Sequence, residues 1–354
     1  MIFVLAAILI FGVLIAVHEL GHFLAAKACG VPVHEFSIGM GPAIWQKETE
    51  ETKYSLRILP IGGFCAMEGE EEDSDNPKAL NNQNFWNKLL IYAAGSVMNF
   101  LAGLLILVVL FSGAKAFYTA EITDIAEGSS LSVPGGLQVG DLILSIDGEK
   151  VYNRGNVTLL LDLNTDGTYD FVVRRGGEKV TVRDLKLERK TFSDSQGGTY
   201  VGFGFTMGGI EEVNFFGRLR YSWLSALDFV RTVRLSLEMI FTGQAGVGDL
   251  SGPVGIVNTM TEVGQQSATV REAVENIAYI AALIAVNLSV MNLLPIPALD
   301  GGKIFFLMVN QLSLLLFKKQ IPAKFENYIH VAGFILLMGL MAFVMFQDVW
   351  KLFQ

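Results

Sequence analysis

The sequence contains His18-Glu19-Leu20-Gly21-His22, two imidazoles and a carboxylate in the pattern HExxH. On a helix, side chains four residues apart share a face with Cβ atoms about 5–6 Å apart, so both imidazoles reach one ion. Zinc suits such a pair, and the glutamate between them is placed to act as a general base on a metal-activated water. The chain has only 4 histidines, which makes the pattern rare by chance. It also sits in an apolar run, Ile2–Ala26, that only His18, Glu19 and His22 interrupt. A carboxylate at that depth is costly unless it is paired, hydrated or used. A histidine pair satisfied by hydrogen bonds alone leaves Glu19 unexplained.

Catalytic zinc needs a third protein ligand and one open position. His34 and His330 qualify by type, but neither lies in an apolar span with a helix break of its own. Asp300 does. It follows the apolar run Ile277–Leu299, in Asn292-Leu293-Leu294-Pro295-Ile296-Pro297-Ala298-Leu299-Asp300-Gly301-Gly302. Pro295 and Pro297 prevent a regular helix there, and unwound backbone at membrane depth is tolerated only beside protein or a water-filled cavity. The expected metal ligands are therefore His18, His22 and Asp300, with Glu19 as the catalytic base.

The elements that must hold these groups follow from composition. Of 354 residues, 51% are hydrophobic and 17% charged. An ordinary soluble domain carries about 25% charged residues, so much of this surface must face something other than water. Runs free of ionisable residues predict four transmembrane helices: Ile2–Ala26 with the interruptions above, Leu89–Ala114, Ile277–Leu299 and Val331–Gln347. No basic residue precedes the first run, so it is expected to stay as a span rather than leave as a signal peptide. Lys27, Lys47, Lys53, Arg57, Lys78 and Lys88 lie between the first two spans, and Lys303, Lys318, Lys319 and Lys324 between the last two. Both loops are expected in the cytoplasm, with both termini and segment 115–276 outside. The first and third spans then run the same way, bringing the histidines and Asp300 to the cytoplasmic side. A net charge of −9 argues against a nucleic-acid partner, and Cys29 and Cys65 cannot form a disulfide framework.

Between the spans, Phe36-Ser37-Ile38 and Lys53–Ile58 alternate like strands, with Gln46–Thr52 as a hairpin connection and Gly39, Gly41, Gly62 and Gly63 at bends. An edge strand from 53–59 is expected, while 67–84 reads as a solvated acidic linker that includes the run Glu68–Asp75. Gly136–Gly148, reading GLQVGDLILSIDG, resembles PDZ domains, which bind extended peptides at a sheet edge. The PDZ domain is expected over 116–205. After it, Phe216, Leu219, Trp223, Leu227, Val230, Leu237 and Phe241 recur at helical spacing. Segment 206–275 is therefore expected to be amphipathic, lying at the membrane interface or packed on the soluble domain.

Taken together, HELGH and NLLPIPALDGG resemble the site-2 protease family of intramembrane zinc metalloproteases, in its bacterial RseP-like branch. The resemblance extends to Gly95-Ser96-Val97-Met98-Asn99-Phe100, Ser251-Gly252-Pro253-Val254-Gly255-Ile256 and Phe36-Ser37-Ile38-Gly39-Met40-Gly41-Pro42, the last like the start of that family's re-entrant β-loop. Some members carry two PDZ domains, and this chain has room for one.

The expected fold is a polytopic α-helical membrane protein with a membrane-associated β-hairpin and an inserted extracytoplasmic PDZ-like domain. Its segments are the first span 1–30, re-entrant loop and linker 31–88, second span 89–115, PDZ domain 116–205, amphipathic segment 206–275, third span 276–302, cytoplasmic loop 303–328 and fourth span 329–350. The resemblance implies Zn2+ as cofactor and the bacterial inner membrane as location, with the active site toward the cytoplasm. It also implies single-pass membrane substrates, such as anti-sigma factors or signal-peptide remnants, with Asn292 and Pro297 binding the substrate. Two other classes fit parts of the pattern. A non-proteolytic PDZ adaptor would be expected to have lost Glu19 or a ligand, and a small-molecule zinc hydrolase would not need the broken span and strand-like loop.

Overall fold

The apolar runs form long helices because their side chains are content in a nonpolar surrounding and their backbone groups pair within the segment. The computed structural model describes residues 2–70, 72–126, 129, 131, 135–193, 199–246, 248, 250–319 and 321–351; Glu71 of the acidic run lies outside them. In chain order the elements are α1 (Ile2–Ala28), β1 (Val33–Glu48), β2 (Lys53–Met67) and α2 (Phe85–Phe111). Next come β3 (Ala116–Tyr118), β4 (Ile122–Ile125), β5 (Leu142–Ile146), β6 (Glu149–Lys150), α3 (Arg154–Leu163), β7 (Thr168–Arg175) and β8 (Glu178–Lys186). The chain continues through β9 (Lys190–Ser193), β10 (Thr199–Gly202), β11 (Phe205–Met207) and β12 (Ile210–Glu212). It ends in α4 (Phe215–Thr242), α5 (Pro253–Gln266), α6 (Val270–Leu293), α7 (Asp300–Phe317) and α8 (Ala323–Lys351). Two units result, one of Met1–Leu110 with Phe229–Gln354 and one of Phe111–Asp228.

Among the described residues, five helices are long and apolar enough to cross a membrane, where four are expected from sequence: α1, α2, α6, α7 and α8. The addition is α7. Lys303 interrupts its apolar run, so a search for charge-free stretches passes over it, and residues 303–317 of the expected loop 303–328 are helical. The third apolar run behaves differently from its expected bounds of 276–302. It is helical from Val270, where the Thr269 side chain accepts the Glu272 N–H, and stops at Leu293 before Pro295.

In the first unit, α1 packs at one end against α5 and α6 through Ala7, Leu14, Met260, Ile284 and Ala285. At its other end, Ala25 and Ala26 join a core of Val31, Val33, Phe36, Cys65, Met67, Leu80 and Ile91. Leu80 is 1% exposed, so stretch 67–84 is no free linker. Within it, Glu68 accepts from Ser74 Oγ and Asn76 Nδ2, and Glu70 pairs with Lys303 at 2.8 Å. The expectation of a solvated linker failed because three buried apolar residues, Met67, Ala79 and Leu80, anchor an otherwise polar segment.

The β1–β2 pairing also corrects an expectation. Residues 35–38 face 63–66 on one side and 53–56 on the other, while 53–57 also face 43–48. Segment 53–57 is therefore interior, and among the described residues the edges of this sheet are 43–48 and 63–67. Alternation of side chains shows that a segment is a strand but not which neighbours flank it. Gly39, Gly41 and Gly62 take φ of +87°, +84° and +88°, which the doubling back of these strands requires.

The second unit centres on a sheet of order β6-β5-β7-β8 with α3 beside it. Asp147 and Gly148, both at positive φ (50° and 82°), make the tight turn from β5 into β6. Asp141 is fully buried and takes both Nε and Nη2 of Arg175 at 2.8 and 2.7 Å, while also accepting the Gln138 N–H. The bidentate pair closes the glycine-rich loop onto β7. Along α4, Phe216, Trp223 and Phe241 are exposed, whereas Ser222, Ser225, Asp228 and Arg231 are buried. The Asp228 carboxylate accepts from Asn153 and Asn156 of the α3 start, at 3.1 and 2.6 Å.

A buried carboxylate also fixes the start of α5. Asp348 of α8 accepts the Gly252 and Gly255 N–H groups at 2.9 and 2.8 Å, capping that helix from another part of the chain. Asp348→Ala leaves those donors without their acceptor and is expected to cost roughly 1–3 kcal/mol. The readout is a lower unfolding temperature of the detergent-purified protein, partly recovered by Asp348→Asn; an unchanged temperature would contradict the assignment.

Candidate metal centre

HExxH falls in α1, which has no proline and only Gly12 and Gly21 as glycines, and the two imidazoles share one face. Gly21 lets α2 approach: a Cβ there would lie 2.4 Å from the Ala94 carbonyl oxygen. Asp300 arrives from the broken segment between α6 and α7. Leu294 and Leu299 close short turns onto Met291 and Ile296, so the chain reverses without helix. Gly301 and Gly302 leave room for this, since Cβ atoms there would meet the Leu294 and Ile296 carbonyl oxygens at 2.1 and 2.4 Å. Asp300 is the first helical residue of α7, where a carboxylate is favoured by the helix dipole.

The three groups expected as ligands meet. His18 Nε2 and His22 Nε2 stand 3.1 and 3.2 Å from Asp300 Oδ2, and 3.2 Å from each other. Ligand atoms of tetrahedral zinc with bonds of about 2.0–2.1 Å stand roughly 3.3 Å apart, so this triangle matches one face of such a site. Among the described residues, it is the one cluster of three histidine, cysteine or acidic side chains able to hold a metal.

Hydrogen bonding supports the fit. His22 Nδ1 lies 2.8 Å from the Ile91 carbonyl oxygen, which can only accept, so Nδ1 carries a proton and the neutral ring presents a bare Nε2. Asp300 Oδ2 is buried without a hydrogen-bond donor. Bare nitrogen and carboxylate oxygen at 3.2 Å repel unless a positive charge lies between them. A second proton on an imidazole or a cation would supply it, and the near-equilateral triangle suits the cation. Gly95 completes the space: a Cβ there would stand 2.4 Å from His22 Nε2 and 2.8 Å from His18 Nε2.

Glu19 is on the same turn of α1, and a Cβ on Gly63 of β2 would come within 3.3 Å of its Cγ, so the 63–67 edge runs beside it. The other candidates take different places. His34 is exposed in β1. His330 of α8 accepts the Ala298 N–H on Nδ1 at 3.0 Å, holding a residue whose φ is +76° in the loop before Asp300. Pro297 packs on Gly333 of α8, and Asn292 is half-buried in the last turn of α6; neither belongs to the cluster. Burial pushes the Cys65 thiol up to about 12, and it does not belong to the cluster. Ile91 carries no mark of its role in the sequence, whereas Gly95 and Asn99, a glycine and an asparagine four apart within an apolar span, do carry a signal beyond the family motif they belong to.

Comparison with known proteins places these features in company. The model of peptidase family M50 matches residues 6–340. The chain is similar to a protein of Clostridium perfringens named as a zinc metalloprotease, with 33% identity over 349 residues and 98% of each chain covered. It is also similar to zinc metalloprotease RasP of Shouchella clausii, at 28% over 430 residues and 99% of each chain. The regulator of sigma-W protease RasP of Bacillus subtilis matches at 27% over 435 residues, again covering 99% of each.

Proposed function

Since the chain belongs to peptidase family M50, the site-2 protease family, and is a multi-pass membrane zinc metalloprotease, we propose that it cuts single-pass membrane proteins at or within the bilayer. The observation that carries this reading is the triangle of His18, His22 and Asp300, built on apolar helices with Glu19 beside it. In the proposal, His18 and His22 through Nε2 and Asp300 through Oδ2 hold Zn2+. Bound there, the ion supplies Lewis acidity toward a water and a peptide carbonyl. Glu19 takes a proton from the attacking water and passes it to the leaving amine nitrogen.

A substrate helix hides its peptide groups in its own hydrogen bonds and must unwind before attack. The free edge at 63–67, next to Glu19, can replace those bonds by strand addition. Asn292 and Pro297 would then hold the unwound chain from the α6–α7 side. Segment 116–205, within the unit of Phe111–Asp228, is read as a single PDZ domain that binds peptide ends or restricts substrate size. The family resemblance favours anti-sigma factors and signal-peptide remnants, already trimmed outside, as the substrates in a bacterial inner membrane.

The test is cleavage of a trimmed single-pass model substrate by the purified protein in detergent. Cleavage is expected to stop with a zinc chelator and return with zinc; cleavage that persists in chelator would contradict the reading. Orientation is tested separately with Lys150→Cys in a chain lacking Cys29 and Cys65. An impermeant thiol reagent is expected to label it from outside the cell, and labelling only from the cytoplasm would reverse the proposed topology.

A further inference from the structure

We propose that Asn99 is the positioning residue for His18, fixing its ring so that Nε2 is bare toward the metal position. Asn99 lies on α2 and is 1% exposed. A primary amide buried in an apolar span is costly without partners. Among the described residues its one hydrogen-bond partner is His18, with Nδ2 3.4 Å from Nδ1. Its Oδ1 is buried with none.

The two ends of an amide exchange places by a half-turn, and the end that faces the ring sets the tautomer of His18. With Nδ2 toward the ring, Nδ1 must accept, Nε2 carries the proton, and Oδ1 stays orphaned. With Oδ1 toward the ring, Nδ1–H donates to it and Nε2 is bare, the tautomer that a metal at the triangle requires, while Nδ2 takes the place where Oδ1 had no partner. The second arrangement reproduces at His18 what the Ile91 carbonyl oxygen does at His22.

The register of α2 makes this one device. Ile91, Gly95 and Asn99 recur every four residues and so share a face. The first orients His22, the second leaves the volume both imidazoles occupy, and the third orients His18. Groups that orient metal-bound histidines typically account for 10–100-fold in metal affinity.

This inference rests on the zinc-ligand reading of His18, and its test is zinc binding itself. Purified, metal-stripped protein is titrated with zinc against a chromophoric chelator, and the cobalt(II) form is followed by visible absorption. Asn99→Leu, similar in size but without an acceptor, is expected to bind zinc about 10–100-fold more weakly and to shift the cobalt bands. Asn99→Asp keeps the acceptor and is expected to recover both. If Asn99→Leu is not recovered folded, Asn99→Ala takes its place in the comparison. Wild-type affinity in the Leu or Ala variant, or an Asp variant no better than them, overturns the role of Asn99 while leaving the zinc site intact. A wild-type protein that binds no zinc overturns the ligand reading beneath it.

Discussion

Glu19→Gln is expected to reduce cleavage by about 10²–10⁴-fold while leaving zinc content unchanged, because general-base catalysis contributes on that scale. The substitution preserves shape and removes the one property the mechanism uses, a carboxylate able to accept a proton. Glu19 is separate from the His18–His22–Asp300 triangle, so its loss does not remove a ligand. A Cβ on Gly63 would come within 3.3 Å of the Glu19 Cγ, so the side chain borders the 63–67 edge to which the proposal brings the extended substrate. Initial rates on a single-pass substrate, taken with zinc analysis of the same preparation, check both halves of the expectation. A fully active Gln variant would remove Glu19 from the chemistry.

Gly95→Ala is expected to weaken zinc binding by at least about 100-fold, at or beyond the upper end of effects from groups around a metal site. The added methyl carbon would stand 2.4 Å from His22 Nε2 and 2.7 and 2.8 Å from His18 Cε1 and Nε2, all closer than nonbonded carbon is found. Both rings must move, and both Nε2 atoms leave the triangle. Alanine is favoured over glycine in a helix interior by about 1 kcal/mol, so the helix itself is not weakened. The expected signature is lost zinc with unfolding of the metal-free protein close to that of the metal-free wild type. Undiminished zinc affinity in Gly95→Ala would mean that the imidazoles do not sit where the geometry places them.

What sequence could reveal divides along physical lines. HExxH needs only the helical repeat to bring two imidazoles together, and Pro295 and Pro297 announce an unwound segment before Asp300 by local sterics. Meeting of the two parts is a tertiary fact, but the shared direction of the first and third apolar runs already favoured it. The role of α2 was not legible in the same way. Ile91 acts through a backbone oxygen, which any residue type supplies, and Gly95 acts by what it lacks. Sheet order was hidden too, since Lys53–Ile58 alternates equally well as an edge or an interior strand. Helix α7 escaped notice because Lys303, paired with Glu70 and lying over the Tyr92 ring, interrupts an otherwise apolar run. Met67, Ala79 and Leu80 show the reverse case, a few buried side chains that give fixed structure to a segment whose composition reads as solvated.

That His18, His22 and Asp300 together hold one zinc ion is tested by the zinc content of the purified, metal-equilibrated protein, comparing wild type with Asp300→Ala. About one zinc per wild-type chain is expected and close to none in the variant, because two imidazoles alone are one ligand short of a catalytic zinc site. A wild type without zinc, or an Asp300→Ala chain that retains it fully, would show that these three groups do not bind the metal together.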